Sequence, residues 1–413
     1  MLTGLSVVAL VLLSAWALGV AVLLRVYRRE LLRLLREPVF RRPVLVIESD
    51  DWGAGPIAQA ASLQAIARVL QRHRDAAGRA PVLNLALVLA VPDGPAIARD
   101  GRYRGVDLAD ACFVPVRAAL QDGAALGVFA LQLHGMEHFR PETLAASPDP
   151  AVQAWLRQPV PAATEQLPSH LQSRWVDAGT LPSTQLSAHA IAGATAQEVQ
   201  AFERIFGAPP RAVVPPTFVW TRAVEQAWAA AGVEFIVTPG FRSTQRNARG
   251  LPDADEGPIA SGDRAGSLTY LVRTDYFEPA RGRDAAYALR ALARAVDEGR
   301  PCVLENHRDN FIADPVQAQR SLAELDALCA GALREFPDLR FLSTVELGRI
   351  LRDRDPRWVA ASWRERLPCV WRRLHGTGRL WKLMRVTGLA AVGDLLVRLL
   401  GTLPAARVGG SGS

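Results

Sequence analysis

Between residues 44 and 350, short apolar runs rich in β-branched residues alternate with longer stretches of helical spacing. This alternation constrains the fold more than any other feature of the chain. Eight runs have the character of strands, at 44–50, 82–90, 127–134, 211–217, 233–238, 267–275, 301–306 and 339–344. Helical patterns fall between most of them, at 57–72, 196–206, 222–231, 284–298 and 315–336. Runs that are apolar at nearly every position, and not at every second one, are buried on both faces, as in a parallel sheet covered by helices. The spacing therefore predicts an α/β fold, a distorted (β/α) barrel of seven or eight strands, and it does not separate the two numbers. A chain of 413 residues, 49% apolar and 22% charged, has enough material for that core.

A different pattern precedes the barrel. Residues 5–24 are an uncharged run of 20, which as a helix is about 30 Å long and matches a bilayer. No basic side chain comes before it, and seven arginines follow within 18 residues, from Arg25 to Arg42. A cleaved signal peptide has a basic start and a small-residue cleavage site instead. Residues 1–25 are therefore taken as one retained transmembrane helix and 26–43 as a basic juxtamembrane linker. The arginine flank favours a single pass through a bacterial inner membrane with the barrel, 44–350, in the cytoplasm. Within the barrel, 139–195 is rich in Pro, Ser, Gln and Ala, and is either a lid at the barrel mouth or a surface excursion. Residues 351–408 form a basic, tryptophan-bearing tail. It is expected as an amphipathic helical segment in the headgroup layer, or else as a helix packed on the barrel. The glycine–serine stretch 409–413 looks like an engineered linker.

The net charge is +7, nearly all of it arginine; Lys382 is the only lysine. The basic residues crowd at 25–42 and 357–385, beside apolar segments. That suits an anionic membrane surface and not a nucleic-acid reader, which carries its charge on a folded face. Cys112, Cys302, Cys329 and Cys369 are too scattered for a zinc ribbon and are expected as buried thiols.

Three strand ends carry titratable groups. The first ends in Glu48-Ser49-Asp50-Asp51-Trp52, the third in His134-Gly135-Met136-Glu137-His138, and the seventh in Glu305-Asn306-His307-Arg308. Paired aspartates often only cap a helix, and a lone histidine is often a satisfied rim residue. Together, however, they converge on the C-terminal face of a barrel, where catalytic groups collect. A His-x-x-x-His pair on a helical turn presents both imidazoles on one face. With one carboxylate it can hold a divalent metal and leave positions open, and the second carboxylate is then free to act as a base.

On these residues the chain resembles the polysaccharide deacetylase, or NodB-homology, family of carbohydrate esterases over roughly 44–350. The resemblance implies that Asp50 is the general base and Asp51, His134 and His138 are the metal ligands. It further implies that His307 is the general acid and that one divalent ion, Zn²⁺ foremost, is the cofactor. The family's third motif is only partly present in Val214-Pro215-Pro216-Thr217, and its base-orienting arginine is missing there. Arg242 or Arg273 could replace it from a neighbouring strand. Arg273 and Asp275, in Arg273-Thr274-Asp275-Tyr276-Phe277, correspond to the fourth motif and join the catalytic set. Trp52, Pro216, Thr217 and Arg308 are expected to contact substrate.

The expected activity is removal of an N-acetyl or N-formyl group from a sugar. Behind a cytoplasmic anchor, the expected substrate is a glycolipid or lipid-linked precursor, with membrane lipid and envelope-glycan biosynthesis proteins as partners. An exported polysaccharide becomes the substrate if the orientation is reversed. A non-catalytic barrel subunit of an envelope assembly complex is the alternative.

Overall fold

The barrel is built around its first strand, β1 (Val44–Gly53), which is buried at every position. The computed structural model describes residues 2–158, 164–254 and 258–400, so the expected linker at 409–413 and the end of the tail lie outside it. The other staves are β2 (Leu83–Val88), β3 (Phe129–Leu133), β4 (Ala212–Val213), β5 (Phe235–Thr238), β6 (Leu268–Val272), β7 (Asp275–Tyr276) and β8 (Cys302–His307). Along the sheet the order is β6-β5-β4-β3-β2-β1-β8-β7, with every pair parallel. The two ends of this path are one piece of chain, because only Arg273 and Thr274 separate β6 from β7. The Arg273 N–H donates to the Thr238 carbonyl beside β6 (2.9 Å), and the Thr274 N–H donates to the Val303 carbonyl beside β7 (2.8 Å). The stretch 268–276 thus pairs first with β5 and then with β8, and the sheet curls back on itself as a distorted ring of seven staves. A short antiparallel strand, Arg264–Ala265, adds to β6.

The eighth expected strand is not a stave. β9 (Arg340–Phe341) pairs only with Val44 and Leu45. On that edge of β1, β2 begins its pairing at Ile47, which leaves room for two residues beneath it and no more.

By contacts the chain divides into two compact units. One comprises 44–293 and 301–353; the other comprises the described parts of 1–43, 294–300 and 354–413. In the first, the stretch after β3 is not a loose excursion. Phe139, Leu144, Val152, Trp155, Leu156, Leu167 and Leu171 form a core of their own. Its last part, from Ala188, is already the helix Ala188–Phe206, which Ser187 caps and Gly207, at φ +77°, ends. In the second unit, linker and tail share one core. Leu23 and Leu34 pack with Leu374 and Leu380, and the Arg373 guanidinium donates to the carbonyls of Glu37, Pro38, Glu298 and Gly299. The helix Leu2–Val26 is long and apolar enough to cross a membrane. Of the four free cysteines three are buried, but Cys112 is exposed, contrary to the sequence expectation.

Candidate active site

β1 breaks its regular pleat at the two aspartates. Its register against β2 shifts between Ser49 and Trp52, and Asp51 takes a left-handed conformation, φ +71°. In an unbroken strand, neighbouring side chains point to opposite faces; the bulge re-aims one of them. Asp50 and Asp51 therefore both interact with His134 and with His307. A left-handed aspartate costs on the order of 1–3 kcal/mol, strain of the kind that collects at functional sites.

The His134–His138 segment is a loop and not the helical turn expected from its spacing. Gly135, at φ +108°, rules out helix, and a Cβ there would lie 2.9 Å from the Glu137 carbonyl oxygen. The loop is fastened to the chain after β2, where Leu89 and Ala90 donate to the Met136 carbonyl (2.9 and 2.6 Å). A buried ion network lies beneath it. Arg174 donates to Glu137 (2.5 Å) and to Glu198 (3.2 Å), while Glu198 also accepts from the Trp228 indole N–H (2.8 Å).

The loop brings His134 Nε2 to 3.4 Å and His138 Nε2 to 3.5 Å from Asp51 Oδ1. All three residues are buried and their ligand atoms lie within 4.8 Å of one another. Asp51 Oδ1 is a buried atom without a hydrogen-bond partner. His134 Nδ1 contacts the Val214 carbonyl at 2.7 Å. A carbonyl only accepts, so Nδ1 carries the proton and a neutral ring turns its Nε2 lone pair toward Asp51. Separations near 3.4 Å are the edges of a tetrahedron with bonds of about 2.1 Å, the length that zinc makes to imidazole and carboxylate. The residues present fit a divalent metal.

The charges around this point are strongly biased. Burial opposes ionisation of Asp51, but the adjacent His134 imidazole, 3.4 Å away, and the charges of the histidines hold its carboxyl well below the ordinary range. Burial pulls His138 down to about 4. Burial also acts against His134 as a cation, but the adjacent Asp51 and Asp50 carboxylates raise it.

Two further groups flank the triad. Asp50 and His307 are register partners on β1 and β8. The Arg273 guanidinium grips both Asp50 oxygens (2.6 and 2.7 Å) and also donates to Glu48 (2.7 Å). Of the two arginines, Arg273 is thus the one that holds Asp50, whereas Arg242 pairs with Glu225 (2.9 Å). Burial acts against the charge on Asp50, and Arg273 outweighs it, so the carboxyl stays ionised. His307 Nδ1 meets Glu278 at 2.5 Å, and Asn310 donates to the other Glu278 oxygen at 2.6 Å. Burial works against the imidazolium, but the Glu278 hydrogen bond, with the charges of Asp51 and Asp50, pushes His307 up to about 10.

The other expected residues have partners of their own. The Asp275 carboxylate accepts from the Tyr287 hydroxyl on the helix Ala285–Asp297 (2.6 Å) and from the Tyr276 N–H (3.0 Å). Glu278, which the sequence reading missed, is the acid that meets His307. Its one sequence signal was its place just past a strand end, which ending the strand at Tyr276 would have exposed. Trp52 is fully buried and donates to Ser49 Oγ (2.8 Å), so it braces β1. Arg308 is also buried, packed against Gly55. Pro216 is buried beside Gly135. Thr217 remains at the rim, half-buried, with its hydroxyl 3.2 Å from Ser173 Oγ. Its neighbour Phe218 lies under the Arg273 guanidinium, 5.5 Å from the ring centre.

Among solved structures, the chain is similar to a family 4 carbohydrate esterase from Streptomyces lividans in complex with acetate. The identity is 10%, over 72% of this chain and 90% of that one, with a TM-score of 0.32. It is also similar to a family 4 acetyl xylan esterase from Clostridium thermocellum in complex with a cobalt ion (9%, 74% and 89%, TM-score 0.35). A third is a 4-alpha-glucanotransferase from Thermococcus litoralis (10%, 85% and 48%, TM-score 0.40). No family model matches the chain, and neither does any curated protein.

Proposed function

We propose that the chain is a metal-dependent amide hydrolase that removes an N-acetyl or N-formyl group from a sugar. The observation that carries this reading is the partnerless Asp51 Oδ1, facing two imidazole nitrogens at 3.4 and 3.5 Å beside Asp50, held by Arg273, and His307, held by Glu278.

Asp51, His134 and His138 would hold the ion, for which zinc suits the donors. A bound divalent cation supplies Lewis acidity, polarising a carbonyl and acidifying water. Asp50, fixed by two hydrogen bonds from Arg273, is oriented to take a proton from the attacking water. His307 carries the proton that the departing amine needs, and Glu278 holds its ring in place. The Thr217 N–H is the candidate donor to the oxyanion, since the Phe218 and Val219 N–H groups already donate to Pro215 and Pro216.

A barrel tethered by an N-terminal span whose basic flank favours the cytoplasm would meet glycolipids and lipid-linked sugars before it met a finished polymer. The test is acetate or formate release from lipid-linked N-acyl sugars by the purified full chain, metal-loaded and chelated. Release that requires metal and disappears in Asp50→Asn supports the reading. No release from any N-acyl sugar, lipid-linked or soluble, by a protein carrying one metal per chain overturns it.

A further inference from the structure

The tail helices carry apolar surface that their own unit leaves uncovered. On the helices Arg379–Val386 and Leu389–Leu400, the side chains of Leu383, Val386, Val392, Leu395, Leu396 and Leu399 are exposed. Val386, at 86%, is the most exposed of the large apolar residues described.

The first helix shows what covers this surface. Leu23 is buried against Leu380 and Leu374, and the Trp16 indole N–H donates to the Thr387 carbonyl at 2.7 Å. From Leu23 back to Trp16, and from Leu380 on to Thr387, is the same step of seven residues, about 10 Å of helix. The helix Arg379–Val386 therefore runs antiparallel beside the C-terminal half of the helix Leu2–Val26. Arg25 is the first charge after the apolar run and marks the hydrocarbon boundary. Trp16 lies nine residues inside that boundary, about 14 Å and close to the middle of a hydrocarbon layer about 30 Å thick. Its bond to Thr387 carries the turn at 386–388 to the same depth.

The side chains suit that depth. The Thr387 hydroxyl is bonded back to the Leu383 carbonyl (2.8 Å), so the tip presents no idle polar side chain. The returning helix packs Gly393 onto the Trp371 ring, where a Cβ would lie 1.9 Å from it. Asp394 accepts the Trp371 indole N–H at 2.7 Å, so its carboxylate has a partner. Trp371 and Trp381, with rings 5.5 Å apart, pack with the Leu23–Leu380 cluster at the boundary, the level that tryptophan favours. Lys382 has a stem long enough to bring its charge back to that level, and Arg385, nearer the tip, extends toward it.

We infer that residues 379–400 form a re-entrant wedge whose tip, 386–388, is buried among the acyl chains of the bilayer that the first helix crosses. The tail then lies deeper than the headgroup layer expected from its sequence. Leu23 of the first helix belongs to this unit's core, with Leu34, Leu374 and Leu380.

The test attaches an environment-sensitive nitrobenzoxadiazole fluorophore to Val386→Cys in a full chain whose exposed Cys112 is replaced by serine. The protein is reconstituted in vesicles of phosphatidylcholine and phosphatidylglycerol. A nitroxide placed mid-way along the acyl chains should cause a larger loss of emission than a headgroup nitroxide, and aqueous iodide should cause none. Quenching by iodide, or mainly by the headgroup nitroxide, overturns the wedge. So does a blue-shifted label that no lipid nitroxide quenches, since the surface would then be covered by protein.

Discussion

His307 carries the clearest pH signature of the site. Its ring must be protonated to serve a leaving amine, so activity should fall as pH rises through its raised pKa, about 10. The Glu278 hydrogen bond is the largest contribution raising it. In Glu278→Gln the alkaline limb of the kcat/KM–pH profile should therefore move to lower pH, while metal content stays unchanged. A limb that does not move would remove Glu278 from the mechanism. Asp50→Asn should lower kcat by about 10²–10⁴-fold, the usual worth of a positioned base, again with the metal retained. Loss of the metal in that variant would mean that the roles of the two aspartates are exchanged. At this scale the sequence was informative where chemistry dictates residue type: Asp50, Asp51, His134, His138 and His307 were all legible as candidates, and the structure gathers them. The burial of Trp52 and Arg308 and the bond of Asp275 to Tyr287 were not legible, because which way a side chain turns depends on packing that residue identity does not carry.

Among the elements, the 134–138 loop depends most on residues outside itself. Arg174 is a buried cation between Glu137 and Glu198. Arg174→Met would leave two buried carboxylates without their counter-charge. That should cost about 3–5 kcal/mol of stability, the range for breaking a buried ion pair, read as a lower urea midpoint. Metal affinity should fall with it, because the loop loses its support. The His-x-x-x-His spacing suggested a helix, but helical spacing is necessary and not sufficient: Gly135 at φ +108° sets a loop that meets Asp51 equally well. The bulge at Asp51 was not legible either, since a register slip is a property of two strands and not of one.

For the whole molecule, the alternation of apolar runs with helical stretches was enough to indicate an α/β barrel. The closure was not, because the stretch 268–276 changes partner between β5 and β8, and strand pairing is a property of two strands and not of one. Topology in the membrane is the open prediction at this scale. Seven arginines follow the apolar helix and no basic side chain precedes it. Moving such a flank outward opposes the membrane potential by about 2.3 kcal/mol per charge per 100 mV. A fluorescent protein fused after Leu351 should therefore be bright, and alkaline phosphatase fused there should be inactive. The reverse result would put the barrel outside and turn the substrate toward an exported polysaccharide. The central claim is one metal ion per chain at Asp51, and anomalous X-ray scattering at the zinc edge from crystals grown with zinc tests it most directly. The expected result is a single peak at about 2.0–2.2 Å from Asp51 Oδ1 and from Nε2 of both His134 and His138. A map with no peak there, or with its peak at other side chains, would contradict the account.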